Sequence, residues 1–141
     1  ITEAQINFDL RNDAWGSFPL VKDGFPINWY DAESTFPKIM EHIRNVPNAY
    51  FSAFVKLAAG KRIKEHSHAN RGHFVFHLCL HDLDGYVEYH CDGKVRRMQK
   101  KGDWALFETA KPHYTVSHAK KDRVNLIVDF VDDSSILLNY K

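Results

Sequence analysis

The chain of 141 residues has only two cysteines, Cys79 and Cys91, and they do not stand at paired-ligand spacing. That excludes a cysteine-built zinc module. A domain of this length needs no disulfide staple, so two free thiols in a reducing cytosol are expected. Long hydrophobic runs are also missing. The longest, "FVFHLCL" and "VNLIVDFV", fall far short of the ~20 apolar residues that cross a bilayer. No basic segment followed by an apolar core opens the chain, so nothing marks a signal peptide. The sequence starts at Ile1, and a leader removed before it stays open. An excess of one charge is absent as well: 19 Lys and Arg against 18 Asp and Glu leave a formal +1. Composition therefore gives no argument for a nucleic-acid or membrane partner. With seven Gly and five Pro there is no Pro/Gly-rich linker, and no internal repeat or low-complexity tract is present. The expectation is one domain over residues 1–141, located in the cytoplasm.

Aromatic residues are plentiful, with ten Phe, six Tyr and three Trp. They favour strands, because flat rings pack well on a pleated surface. Residues 1–30, rich in turn formers and aromatics, read as irregular chain with short strands wrapped on a surface. A helix is predicted in "DAESTFPKIMEHIRNV", capped by Asp31, with Phe36, Ile39, Met40 and Ile43 recurring as one apolar stripe. Pro37 sits in its first turn or breaks it. From residue 51 the pattern changes. "AYFSAFVKLA", "GHFVFHLCLH", "YVEYHC", "VRRMQ", "WALFE", "HYTVSH" and "RVNLIVDFV" are separated by turn signals, of which "DGK" is the strongest. Seven or so short strands over 51–131 predict a mainly β jelly roll, cupin-like in its winding. The helix is expected to cover one outer face, which would account for a strand at 74–80 that is apolar on both sides. Trp104 is expected in the core, and Arg96, Arg97, Lys100 and Lys101 on a solvated hairpin.

The segment "KEHSHANRGHFVFHLCLHD" holds five histidines: His66, His68, His73, His77 and His81. On a strand, residues i and i+2 point to the same side, so His66 and His68 are placed to share one metal ion. A distant third imidazole, His113, follows the strand "WALFE". A lone strand histidine is ordinarily a surface or satisfied core residue, and His81 and His118 fit that description beside turns.

Taken together, Gly60 with His66, "HLCL", "GDWALFE", His113 and "RVNLIVD" with Arg123 ten residues after His113 resemble the aspartyl/asparaginyl β-hydroxylase family. That family comprises iron(II)- and 2-oxoglutarate-dependent oxygenases on a double-stranded β-helix. The resemblance covers about residues 54–131. It implies that His66 and His113 bind Fe(II), that Arg123 pairs with the distal carboxylate of 2-oxoglutarate, and that His77 helps to hold this cosubstrate. The chemistry agrees: neutral imidazole suits Fe(II), and a planar guanidinium grips a carboxylate through parallel hydrogen bonds.

Three positions depart from the family pattern. Many iron/2-oxoglutarate enzymes carry Asp or Glu two residues after the first histidine, and animal members of this family a small residue; here that position is His68. Either His68 completes a three-histidine face or water takes the place. Val55 stands where some relatives have a polar residue, and Val75 where animal members have arginine, so the substrate is not expected to be read in the same way. Asn70 and Arg71, in the loop after the paired histidines, are candidate substrate contacts or plain solvated residues. His73 is a candidate for the site mouth, and Cys79 reads as a buried structural thiol.

The resemblance implies hydroxylation of an unactivated C–H bond in an amino acid, a peptidyl side chain or a small natural-product precursor, with succinate and CO₂ released. A small-molecule substrate and O₂ are the expected partners, without nucleic acid or membrane. Two other readings stay open. One is a cupin-type metal dioxygenase or isomerase that needs no 2-oxoglutarate, the other a non-catalytic jelly-roll binding module. Arg123 discriminates the first of these, and the metal content of His66 and His113 variants the second.

Overall fold

Among the described residues, alternation of side chains along ten strands builds two antiparallel sheets. The computed structural model describes residues 15–69 and 71–132. The strands are β1 (Trp15–Lys22), β2 (Phe25–Pro26), β3 (Ala49–Leu57), β4 (Arg62–His66), β5 (His73–Cys79), β6 (Val87–Cys91), β7 (Lys94–Met98), β8 (Trp104–Glu108), β9 (His113–Ser117) and β10 (Arg123–Val131). The larger sheet runs β2-β1-β3-β10-β5-β8 and the smaller β4-β9-β6-β7. Neighbours in both sheets are seldom consecutive in sequence, which is the winding of a double-stranded β-helix. No helix among the described residues is long and apolar enough to cross a membrane.

The tight hairpins are set by local chemistry. Asp92 and Gly93 both hold positive φ, 52° and 77°, between the paired ends Cys91 and Lys94. Two successive positive φ values twist the chain as the flanking strands do, which is why an Asp-Gly pair suits this loop.

One helix was expected from 31 to 46, and two are found: α1 (Ala32–Thr35) and α2 (Pro37–Arg44). Asp31 caps α1, accepting from the Ser34 backbone N–H at 3.1 Å and from its hydroxyl at 2.7 Å. Pro37 is the break. It has no N–H to continue α1, and its fixed φ suits the first turn of α2. Met40 and Ile43 of α2 are buried with Leu20, Val21 and Val128, against Phe54 and Leu126. The helices therefore cover β1, β3 and β10. They do not cover β5, contrary to expectation. Its outward Phe74 stacks on Phe130 at 5.7 Å, and Phe76 on Trp104 at 6.1 Å. Trp104 itself is 45% exposed rather than in the core, with the Arg96 guanidinium 4.5 Å from its ring centre. It sits on edge strand β8 with its indole turned outward, where no second layer packs on it. Arg97 lies exposed beside Glu88, as a solvated hairpin requires.

The stretch around residues 15–22 is more regular than its turn-rich composition suggests. It forms an eight-residue strand whose Trp15 and Ser17 face inward opposite Leu57 and Val55.

Register fixes what looks into the interior. Across the larger sheet, Phe51, Asp129, Val75 and Phe107 lie in one row, and Ala53, Ile127, His77 and Ala105 in the next. Val55, Asn125 and Cys79 follow, then Leu57 with Arg123. In the smaller sheet His66, His113 and Cys91 align, and beside them Ile63, Thr115 and Tyr89. Cys79 is buried and Cys91 partly so, both as free thiols.

Candidate metal centre and cosubstrate pocket

His66 and His113 meet because β4 carries an irregularity. Ile63 pairs with Thr115 and His66 with His113, so three steps on β4 match two on β9. The extra residue turns His66 to the same side as Ile63, as a β-bulge does. The two rings come to 4.2 Å between centres. His68 reaches them differently from the expected strand alternation. β4 ends at His66, and His68 lies beyond it, held where its backbone N–H donates to the Thr109 carbonyl at 2.8 Å. Its ring lies 5.5 Å from that of His66 and stacks parallel to that of His113 at 5.7 Å. One nitrogen from each of the three falls within 4.8 Å of the others, and among the described residues no carboxylate or thiol joins this group.

The donor set fits a divalent transition metal. His66 Nδ1 lies 2.8 Å from the Lys64 carbonyl and His113 Nδ1 2.7 Å from that of Lys111. A carbonyl only accepts, so each Nδ1 carries the proton and each Nε2 keeps a bare lone pair. Burial lowers the pKa of His66 and brings both His68 and His113 down to about 4. All three imidazoles are therefore neutral at pH 7, the state in which they bind a metal.

Behind the histidines a cavity of about 240 Å³ separates the sheets. Arg123, His77 and Asp129 also line it, between apolar walls that include Val55, Val75 and Phe107. Arg123 is 1% exposed. One of its terminal nitrogens donates to the Tyr89 hydroxyl at 2.8 Å, whereas its Nε has no partner among the described residues. A buried guanidinium N–H without an acceptor is costly, and a carboxylate entering the cavity is the acceptor that would relieve it. Tyr89 receives a second hydrogen bond, from Asn125 Nδ2 at 2.8 Å, and points its own proton toward Met98 Sδ at 3.7 Å. Asn125 Nδ2 also lies 3.1 Å from His77 Nδ1. Because the amide nitrogen donates, His77 Nδ1 accepts, and the ring proton sits on Nε2. Burial, then the neighbouring Arg123 charge, holds the pKa of His77 well below its ordinary value.

The fold thus gathers His66, His68, His113, His77 and Arg123 around one cavity. His73 is not among the residues that line it; its Nδ1 instead meets the Tyr50 hydroxyl at 3.1 Å. Arg71 is exposed on the following loop, and Asn70 lies outside the described residues. His81 is structural, accepting from the Val124 N–H at 3.1 Å. Tyr89, Asn125 and Asp129 were not anticipated. For the last two a signal existed in "RVNLIVD", whose alternate residues 123, 125, 127 and 129 share one face. For Tyr89 there was none, because its role depends on which strand faces β10.

A family model described as aspartyl/asparaginyl beta-hydroxylase matches residues 2–133. No curated protein matches the sequence. Among solved structures, the Cupin_2 domain of an XRE-family transcriptional regulator from Enterobacter cloacae aligns at 16% identity with a TM-score of 0.55, covering 84% of this chain and 98% of that one. A Cupin 2 conserved barrel domain protein from Salinispora arenicola aligns at 16% identity and TM-score 0.52, covering 92% and 84%. The DMSP lyase DddQ from Ruegeria pomeroyi aligns at 18% identity and TM-score 0.56 over 86% of this chain, which spans about half of that one, 49%. At these identities the likeness is one of fold.

Proposed function

The chain belongs to the aspartyl/asparaginyl β-hydroxylase family, and from that premise we propose that it is an Fe(II)- and 2-oxoglutarate-dependent dioxygenase. In this reading it hydroxylates an unactivated C–H bond of an amino acid, a peptidyl side chain or a small natural-product precursor. The observation that carries the proposal is Arg123: a buried guanidinium with an unsatisfied Nε, lining the cavity that the three histidines also line. A cosubstrate with two carboxylates a few bonds apart answers both ends of that arrangement. One carboxylate is taken by Arg123, and the 2-oxo acid end lies toward the histidines.

Each side chain then has a definite task. His66, His113 and His68 hold the metal, with their tautomers set by the Lys64 and Lys111 carbonyls in the first two cases. Iron bound there supplies the redox chemistry that couples decarboxylation of 2-oxoglutarate to C–H hydroxylation. Tyr89 fixes the guanidinium plane, and Asn125 fixes Tyr89 and His77 together. The proton on His77 Nε2 makes it a donor to a cosubstrate oxygen. Val55, Val75, Phe107 and Ile127 exclude water from the reacting space. A three-histidine face carries one negative charge less than a two-histidine, one-carboxylate face, so the bound metal is the more electrophilic.

A cupin-type metal enzyme without 2-oxoglutarate is the second reading. The all-histidine donor set favours it. The experiment that separates the two supplies purified protein with Fe(II), O₂ and 2-oxoglutarate and measures succinate. Succinate that appears only with both iron and cosubstrate supports the dioxygenase. Activity that survives Arg123→Ala and needs no 2-oxoglutarate supports the cupin enzyme. No succinate and no 2-oxoglutarate binding with any candidate substrate refutes the dioxygenase.

A further inference from the structure

Strand β10 carries opposite charges on its inward face. Arg123 stands at one end and Asp129 six residues on, so their Cα atoms are about 20 Å apart along the strand. Both line the same cavity. Arg123 is accounted for by the cosubstrate, whereas Asp129 has no task in that scheme. It stands partly buried on the cavity wall between β3 and β5, opposite Phe51 and Val75. Histidines aside, Arg123 is the one basic side chain among the described lining residues, and it is committed to the far end. A carboxylate on the wall of a largely apolar cavity gains when a ligand brings it a charged donor.

The surroundings say what kind of donor. Phe51 and Phe107 line the same space and lie in the register row of Asp129. A carboxylate among aromatic rings suits a cationic nitrogen, which gains from the charge and from the ring faces together. A neutral or acidic group gains from neither.

We infer that Asp129 selects the substrate by taking a side-chain ammonium or guanidinium group at the cavity end opposite Arg123. The inference rests on the proposed dioxygenase site, since it assigns the cosubstrate to Arg123 and the substrate to the space that remains. It narrows the substrate to a compound with a cationic side chain, beyond any α-ammonium group.

The test is calorimetric and needs no turnover. The full chain is loaded with Mn(II), titrated with 2-oxoglutarate, and then with matched probes: L-arginine against L-citrulline, and L-lysine against L-norleucine. The cationic member of at least one pair is expected to bind on the order of 10–100-fold tighter than its neutral partner, the worth of one charge-assisted hydrogen bond. In Asp129→Asn that ratio should fall to within about twofold. Failure of the first titration overturns the dioxygenase reading. Success there, with wild-type protein that distinguishes neither pair, overturns the role of Asp129 alone, as does a preference that persists in Asp129→Asn. The wild-type ratios decide the matter even if the variant does not fold.

Discussion

Replacing Asp129 by Asn should stabilise the metal-free protein, and by an amount that depends on pH. Burial pushes the Asp129 carboxyl up from its ordinary 3.8 to about 7. Between those values the folded state binds a proton that the unfolded state has released, so stability falls as pH rises. Below the lower value both states are protonated and the residue costs nothing through ionisation. Above pH 7 the whole penalty is present: about three pKa units at 1.36 kcal/mol each, or up to about 4 kcal/mol. Asparagine has nearly the same shape and no charge at any pH. The stability difference between Asp129→Asn and wild type should therefore be near zero around pH 4, open through pH 5 to 7, and level off by pH 8 in favour of the variant. Urea denaturation of both proteins with a chelator present measures it, and the histidine contributions cancel in the difference. A gap that does not change with pH would refute the reasoning, and so would one that widens toward acid.

Other substitutions separate site from scaffold. Arg123→Met should abolish 2-oxoglutarate binding while leaving stability unchanged or raised, because a buried guanidinium with an unpaired Nε gives way to an apolar side chain; calorimetry and thermal melting read the two effects. His113→Ala and His66→Ala should lose metal by more than the roughly 10–100-fold that an outer partner costs, whereas His68→Asp should hold Fe(II) at least as tightly as wild type; competition with a metal-sensitive dye measures all three. Gly85→Ala should cost about 2 kcal/mol or more, since Gly85 holds φ at +123° and an added Cβ would stand 2.5 Å from the His118 carbonyl oxygen; chemical denaturation reads the loss.

What sequence reasoning reached, and where it stopped, follows from the range of the interactions. Alternation and turn chemistry are local, so strands β5 to β10 and the Asp-Gly hairpin could be read directly. The His66 and His68 pair could be read from its alternate-residue spacing, and His66, His113 and Arg123 from the family resemblance. Strand β1 was hidden because turn-rich composition masked pairing with β3, a contact across some 35 residues of chain. The bulge that brings His66 to His113 is invisible in β4 alone, because it is a mismatch between two strands. Tyr89, Asn125 and Asp129 acquire roles only once β6 faces β10 across the cavity. Trp104 misled because a tryptophan in an apolar strand argues for burial, yet an edge strand leaves its outward face uncovered.

The most direct test of the central claim compares two 2-oxo acids on the wild-type protein. With Fe(II) bound and oxygen excluded, 2-oxoglutarate and pyruvate present the same chelating end, and only the former has a distal carboxylate for Arg123. Calorimetric titration should show 2-oxoglutarate binding at least about 100-fold tighter, as expected for a buried charge-assisted pair. Equal affinity for the two acids, or binding of neither, would contradict the account.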